Sequence, residues 1–398
     1  MAGNNLLTSS IIVKRALAKL VDESQVLAMV NRDYQGQYDN AKAGDTINVR
    51  VPQHAAIRKG RIMDEMAVSN VTVPITINNY YGVDTGATSA ELAMQIDDFA
   101  EQFIDPFIPD LLINVESDFI NQVTNQVPAT VGAYGAFNSQ TIALQAKAYM
   151  DAQLAPKNDR NLLVNTYSQI DIVQALSALF NSQTKIDKQY RSGRMAADTL
   201  GSDWYQSNLT ASVTRGTGAG YLVNGAAQSG SSLIVGTGTG TINVGDTFTI
   251  AGVFDVHSQT KVAQPILKQF TVTTAYAGGA GTLAISPAIT LTGTEQNVSA
   301  APASGAAITI KGTSGTDYVQ NLLFSQDAFY FVTANLPNPG KNLGVDSATA
   351  SYKGIKLRFI RDFDIVNDKW RSRFDIVWGG GILRPELAVR IPATITAF

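Results

Sequence analysis

A chain of 398 residues, 45% apolar and only 16% charged, is long enough for two or three domains and carries fewer charges than the roughly one quarter usual in soluble globular proteins. A net charge of −3 excludes a binder of free nucleic acid with a strongly basic face, and the absence of cysteine excludes disulfides, thiolate nucleophiles and cysteine-based zinc sites. So few charges lead us to expect much of the surface to be covered by protein neighbours. His54 and His257 are the only histidines, far apart and without ligand-spaced partners, and each reads as a polar loop residue. No run approaches the roughly twenty apolar residues of a membrane-spanning helix. The opening "MAGNNLLTSSIIVKRALAKL" places its charges after the apolar stretch, the reverse of a secretory signal, so a cytoplasmic product without membrane contact is expected.

Ser9 or Ser10 can cap a first helix in which Ile11, Leu17, Leu20, Val21 and Leu27 recur near helical spacing, with Lys14, Arg15 and Lys19 among them. A packed terminal helix and an interaction arm are both open readings. "DTINVRVP" and "NVTVPITINNYYGV" then alternate as two strands. Between them, residues 53–69 carry Arg58, Lys59 and Arg61 followed by Asp64 and Glu65, too long for a tight turn and too polar for a core. This reads as a long hairpin arm whose basic and acidic clusters can pair within the loop or with a neighbour's copy.

Residues 89–123 carry Phe99, Phe103, Phe107, Leu111, Leu112, Val115 and Phe119 at helical spacing, and Pro106 and Pro109 predict a kink or break, with Pro109 able to open a second piece. Asp97 and Asp98 are adjacent, so on a helix they do not face each other and make no catalytic dyad. "SQTIALQAKAYMDAQL" predicts a helix, "RNLLVNT" a buried strand, and "SQIDIVQALSALF" a helix capped by Ser168, an alternation of the α/β kind.

From about Tyr221 to Lys311 the composition turns to Gly, Ser, Thr and Val with hardly a charge. Gly236, Gly238 and Gly240 are spaced like a phosphate-cradling loop, but that loop needs a helix after it, and "INVGDTFTIAGV" alternates as a strand instead. The glycines are therefore expected to turn the chain. "SLIVG", "DTFTIAG", "QFTVTTAY", "GTLAISP" and "AITIKG" predict a compact β-barrel or sandwich bounded by "TRGTGAG" at 214–220 and "GTSGT" at 312–316. "DAFYFVTANLP" predicts a buried strand, and "GIKLRFIRDFDIVNDKWRSRFDIVWGG" a long hairpin about Asn367 and Asp368 with Trp370, Phe374, Ile376 and Trp378 on one face. "RPELAVRIP" closes as a turn and a short strand.

No Walker loop, zinc-ligand cluster, nucleophile elbow or EF-hand loop is present, and a serine triad would need a histidine that the sequence scarcely supplies. We expect no catalytic residue, no metal and no cofactor. The order of elements, with "GDTFTIAGV" and "LKQFTVTTAY" in the β region and Trp378 followed by Arg384-Pro385-Glu386 near the end, resembles the major capsid proteins of tailed bacteriophages. Within them it is most similar to the coat-protein type of the short-tailed Salmonella phages, which carries an inserted β-barrel.

The resemblance implies an α+β, Hong Kong 97-like capsid fold. Its parts would be an N-terminal arm or helix at 1–35, an extended β-hairpin arm with its entry strands at 36–80, and a peripheral domain with a spine helix at 81–129. An axial domain at 130–215 would be interrupted by an inserted β-barrel at 216–315 and completed by 316–398, which also returns to the periphery. It implies a shell of hexamers and pentamers, made in the host bacterial cytoplasm and resident in the virion. A scaffolding protein and a portal would take part in assembly, and packaged DNA would lie non-specifically against the inner face. Arg58, Lys59, Arg61, Asp64 and Glu65 would be subunit contacts, as would Lys14, Arg15 and Lys19 of the N-terminal arm. Lys59 would be an ionic contact, since this type is not known for the lysine–asparagine weld of some related shells. A β-rich carbohydrate-binding or adhesion module is the alternative that residues 221–311 raise, and a hydrolase using His257 is the third.

Overall fold

The computed structural model describes residues 9–33, 44–51, 55, 60–62, 72–88, 105–176, 200–339 and 345–395. In chain order the elements are α1 (Ser9–Glu23), β1 (Thr46–Arg50), β2 (Thr72–Thr76), β3 (Asn79–Thr88), α2 (Asp105–Gln126), α3 (Gln140–Ala152), β4 (Arg160–Asn165) and α4 (Thr166–Leu176). There follow β5 (Asp203–Ser207), β6 (Ser212–Thr214), β7 (Gly230–Val235), β8 (Thr247–Val256), β9 (Ala263–Val272), β10 (Gly281–Ile289) and β11 (Ile308–Ile310). The chain ends with β12 (Asp317–Ser325), β13 (Phe329–Thr333), β14 (Asp346–Tyr352), β15 (Ile355–Asp364), β16 (Lys369–Ile382) and β17 (Ala388–Ala393). It forms two compact units, one of 1–49, 74–119 and 330–381, the other of 50–73, 120–329 and 382–398.

In the first unit, α1 buries Ile12, Val13, Ala16, Leu17, Leu20 and Val21 and packs on β14 and β15. The expected stripe is offset at its start, because Ile11 is exposed and Ile12 and Val13 face the sheet instead. β1 and β2 form a two-stranded ribbon, with Thr46 and Thr76 hydrogen-bonded through their hydroxyls at 2.8 Å. The strand expected over 70–83 is two strands: after Ile77 and Asn78, β3 leaves the ribbon and pairs antiparallel with β16 from Asn79 opposite Trp378 to Thr88 opposite Lys369. β16 joins the sheet ordered β13-β16-β15-β14. Its buried face stacks Trp378 on Phe331 at 5.6 Å between ring centroids, with Phe119 edge-on to both.

α2 bears on the expectation of a kink or break at the prolines. Both prolines lie inside it, and the helix runs through Pro109 without a break. Pro109 forgoes one amide bond, to Asp105, in the first turns of the described helix, while residues 89–104, where a break before it would fall, lie outside the described residues. Phe99 and Phe103 lie outside the described residues.

In the second unit, β4 is buried along its whole length and pairs parallel with β5, the two being linked through α4 as in a βαβ crossover. β12 lies between β4 and β17, both antiparallel to it. Ser139 caps α3, the helix its sequence predicts, its hydroxyl accepting the Thr141 amide. Ser168 does not cap α4, which opens two residues earlier. There Asn165 Oδ1 takes the Tyr167 amide, and the buried Ser168 hydroxyl instead meets Asn321 Nδ2.

Residues 221–310 form a five-stranded sheet ordered β11-β8-β9-β10-β7 around their own buried cluster, with Tyr221, Ile242, Phe248, Phe270, Leu283 and Val298 among its members. The expected strand runs all appear here. A strand, not a helix, follows the Gly236–Gly240 run, so no phosphate cradle forms. Gly238 has φ +142° and lies against the Tyr221 ring, while Gly240 has φ +82° and would place a side chain 2.7 Å from the Thr217 carbonyl oxygen. The glycines are there for positive φ and close approach.

Candidate fastening and assembly site

Two groups of buried polar residues hold chain segments together. In the first unit, α2 presents Glu116, only 3% exposed, to the turn that follows α1. One carboxylate oxygen accepts the amides of Gln25, Val26 and Leu27 at 3.1, 3.1 and 3.2 Å. The bonds engage the amide donors of the turn that follows α1. Burial raises the Glu116 pKa above the ordinary carboxylate value, and the three amides oppose that rise without cancelling it.

The second group fastens the 221–310 sheet to the β4-β12-β17 sheet of the same unit. Arg390 of β17, 1% exposed, donates to the Gly245 carbonyl at 2.9 Å and the Thr247 hydroxyl at 2.6 Å. Asp246 beside them accepts the amides of Gly216 and Asn243, and burial raises its pKa against the pull of those amides, Arg215 and Arg390. Thr130 exchanges bonds with the Gln269 side chain at 2.7 and 3.0 Å and receives Lys311 Nζ on its hydroxyl at 3.1 Å. Burial, and then Arg390, lower Lys311 to about 8. Gln153 and Lys268 both donate to Asp255 at 2.9 Å. The two ends of the β region are tied to each other, Arg215 N donating to Thr316 O and Gly315 N to Arg215 O, each at 3.0 Å.

A cleft of about 150 Å³ beside the Gln153–Asp255–Lys268 group is lined by Tyr149, Ser258, Lys261 and Glu386. Burial, with Asp255 and Glu386 nearby, raises the Tyr149 phenol far above its ordinary value, so it stays protonated. Among the described residues no group of three His, Asp or Glu side chains is placed to hold a metal ion. His257 Nδ1 accepts the amides of Gln259 and Thr260 at 3.3 and 3.2 Å. That nitrogen, which a triad would give to an acidic orienter, is occupied by the local turn.

Of the contact residues read from the sequence, Lys14 and Arg15 lie on the exposed face of α1, Lys19 is half-buried and Arg61 is exposed. Arg58, Lys59, Asp64 and Glu65 lie outside the described residues, as does His54. Sequence reasoning missed Glu116 and Arg390. Both are single polar residues inside apolar periodic stretches, and that conflict with the pattern is the one local signal that could have found them.

These groups tie segments distant in sequence to one another within each unit. The chain belongs to the P22 coat protein family, described as gene protein 5, whose family model matches residues 1–392. It is a tailed-phage major capsid protein, a component of the virion whose copies form the icosahedral shell. Comparison with curated proteins gave no match. Among solved structures the chain is similar to that of Mycobacterium phage Che8, with 13% identity and a TM-score of 0.47, covering 92% of this chain and 91% of that one. It is also similar to the mature capsid of bacteriophage PhiM1, at 10% identity, TM-score 0.44 and coverage of 90% and 85%. For the procapsid of satellite phage P4 the values are 7%, 0.41, 97% and 92%.

Proposed function

We propose that the subunit builds its shell as hexamers and pentamers, with residues 36–80 as an arm laid on a neighbour, α2 as the spine of a peripheral domain, and residues 216–315 as an inserted β-barrel that braces an axial domain. The observation that carries this reading is the β1–β2 ribbon. Its inner residues Val49 and Ile75 are buried within the subunit, while its outward residues Thr46, Asn48, Arg50, Thr72 and Thr76 are exposed. A neighbouring copy covers that outward face. Arg58, Lys59 and Arg61 of the arm then meet acidic groups across that contact, and Lys14, Arg15 and Lys19 do the same for the N-terminal segment. A scaffolding protein and a portal act during assembly in the host bacterial cytoplasm, and packaged DNA lies against the inner face without sequence-specific contacts. The subunit acts as a building block and catalyses nothing.

The test is assembly of the purified chain, with its scaffolding protein where one is required, followed by negative-stain imaging. Closed hollow particles of uniform diameter are expected, and deletion of residues 53–69 should leave free subunits or aberrant sheets and tubes. Uniform closed shells from the deleted chain would remove the arm from the mechanism.

A further inference from the structure

Asn224 and Gly225 form the one Asn-Gly pair in the sequence, on an exposed turn of the β region between Val223 and β7. The main chain of this turn is clamped. Asn224 N donates to the Ile234 carbonyl at 2.9 Å, and Gln228 Nε2 reaches the carbonyls of Asn224, Gly225 and Ile234 at 2.8, 3.1 and 3.1 Å. Gln228 Oε1 accepts the Ile234 amide at 2.6 Å. Two groups stay outside the clamp, and they are the two that can react with each other. Among the described residues, neither the Asn224 carboxamide nor the Gly225 amide hydrogen has a hydrogen-bond partner. Gly225 has φ +94°, and a Cβ built on it would meet only Gln228 Nε2, at 3.9 Å, so the surroundings of its nitrogen are open.

The other two asparagines of the β region are restrained. Asn243 Nδ2 donates to the Thr214 carbonyl at 2.9 Å. Asn297 uses both ends of its carboxamide, Oδ1 on the Thr290 amide at 3.0 Å and Nδ2 on the Ala288 carbonyl at 2.7 Å. Each is followed by a valine, whose branched side chain crowds the next amide.

We propose that the Asn224–Gly225 turn of the folded chain is a site of spontaneous modification, at which Asn224 is converted to aspartate and isoaspartate. Hydroxide takes the Gly225 amide proton, and the nitrogen attacks Asn224 Cγ. The Cγ–Nδ2 bond breaks and ammonia leaves, taking a proton from water and so restoring the hydroxide. A five-membered succinimide remains. Water opens it at Cγ to give aspartate, or at the main-chain carbonyl to give isoaspartate, whose main chain runs through the side-chain carbon. In sum one water is consumed and one ammonia released. Either product adds a negative charge to a chain whose net charge is −3. Isoaspartate also lengthens the main chain inside the Gln228 clamp. That loosens the bonds which hold this segment on β7 at the edge of its sheet, Asn224 N to Ile234 O and Gly236 N to Leu222 O. The inference goes beyond the shell reading and does not depend on it.

The experiment ages the purified full chain at mildly alkaline pH, folded in buffer and unfolded in urea. Trypsin then releases the peptide from Gly216 to Lys261, which contains both Asn224 and Asn243. In the folded chain mass spectrometry should find an NH exchanged for an oxygen at Asn224, with Asn243 unchanged. Electron-transfer fragmentation should identify isoaspartate among the products, and isoelectric focusing should show a new acidic species. Asn224→Gln, whose longer side chain does not close the five-membered ring, should fold as the wild-type chain does and lack that species. Three results would overturn the proposal: Asn224 intact in the folded chain while it converts in urea, equal conversion of Asn224 and Asn243 in the folded chain, or the same acidic species from Asn224→Gln. Hydrogen exchange at the Ile234 and Gly236 amides should be faster in the aged chain than in the fresh one, and unchanged exchange there would overturn the loosening of the sheet edge.

Discussion

Arg390 reaches from β17 to the hydroxyl of Thr247 at the start of β8, 2.6 Å away, and it does so as a buried guanidinium. Replacing it with alanine leaves the Gly245 carbonyl and the Thr247 hydroxyl without this donor and removes one of the two arginines, with Arg215, that balance Asp246. Arg390→Ala should therefore lose about 3 kcal/mol of unfolding free energy, within the range for breaking buried charged networks. The urea midpoint should fall, and amide exchange in β8 should accelerate more than in β16. Equal acceleration in both strands would mean that Arg390 supports the whole fold and has no special part in fastening the β region.

Lys311 gives this fastening a dependence on pH. Burial, reinforced by Arg390, lowers its pKa from the ordinary 10.5 to about 8, so the neutral amine is the form favoured by the folded state. The stability it contributes is fully present above the ordinary value and is lost as the pH falls through about 8. Relative to Lys311→Met, which does not titrate, the wild-type chain should gain stability between pH 7 and about pH 9.5. Urea titrations of the two chains at both pH values measure the difference, and a constant difference would refute it.

Glu116 works in the opposite range. Its raised pKa means that folding favours the protonated carboxyl, whose contribution is fully present below the ordinary 4.5 and lost as the pH rises through the raised native value. Stability relative to Glu116→Gln should thus increase as the pH falls towards about 4.5. Glu116→Gln keeps an oxygen for the three amides and should keep them protected from exchange, whereas Glu116→Ala should expose Gln25, Val26 and Leu27. Hydrogen exchange resolved at those residues distinguishes the variants.

Gly238→Ala tests the reading of the glycine run. A Cβ there would overlap the ring of Tyr221, which is buried and donates to the Gly240 carbonyl at 2.5 Å. Displacing the ring should cost about 1–3 kcal/mol, the usual range for overpacking, with added strain from the positive φ. Gly252→Ala, also at positive φ but with open space around it, should cost less. Thermal melts of the two variants side by side provide the measurement.

The sequence by itself determined where the elements lie and which faces are apolar. The alternation of Phe374, Ile376 and Trp378 placed a half-buried strand, the loss of charge after Tyr221 marked the β region, and the pattern of "SQTIALQAKAYMDAQL" placed α3. These signals are local, because a strand's period of two or a helix's 3.6 is written within a dozen residues. Only the tertiary structure decided which polar residues are buried and what they hold. Glu116 takes amides 89 to 91 residues earlier in the chain, and Arg390 reaches a hydroxyl 143 residues away. The helix continues through Pro109, and Ser168 lost its capping role to Asn165. Burying a polar group is unfavourable unless a partner meets it. Whether one does depends on register and approach between segments, and no local pattern encodes that.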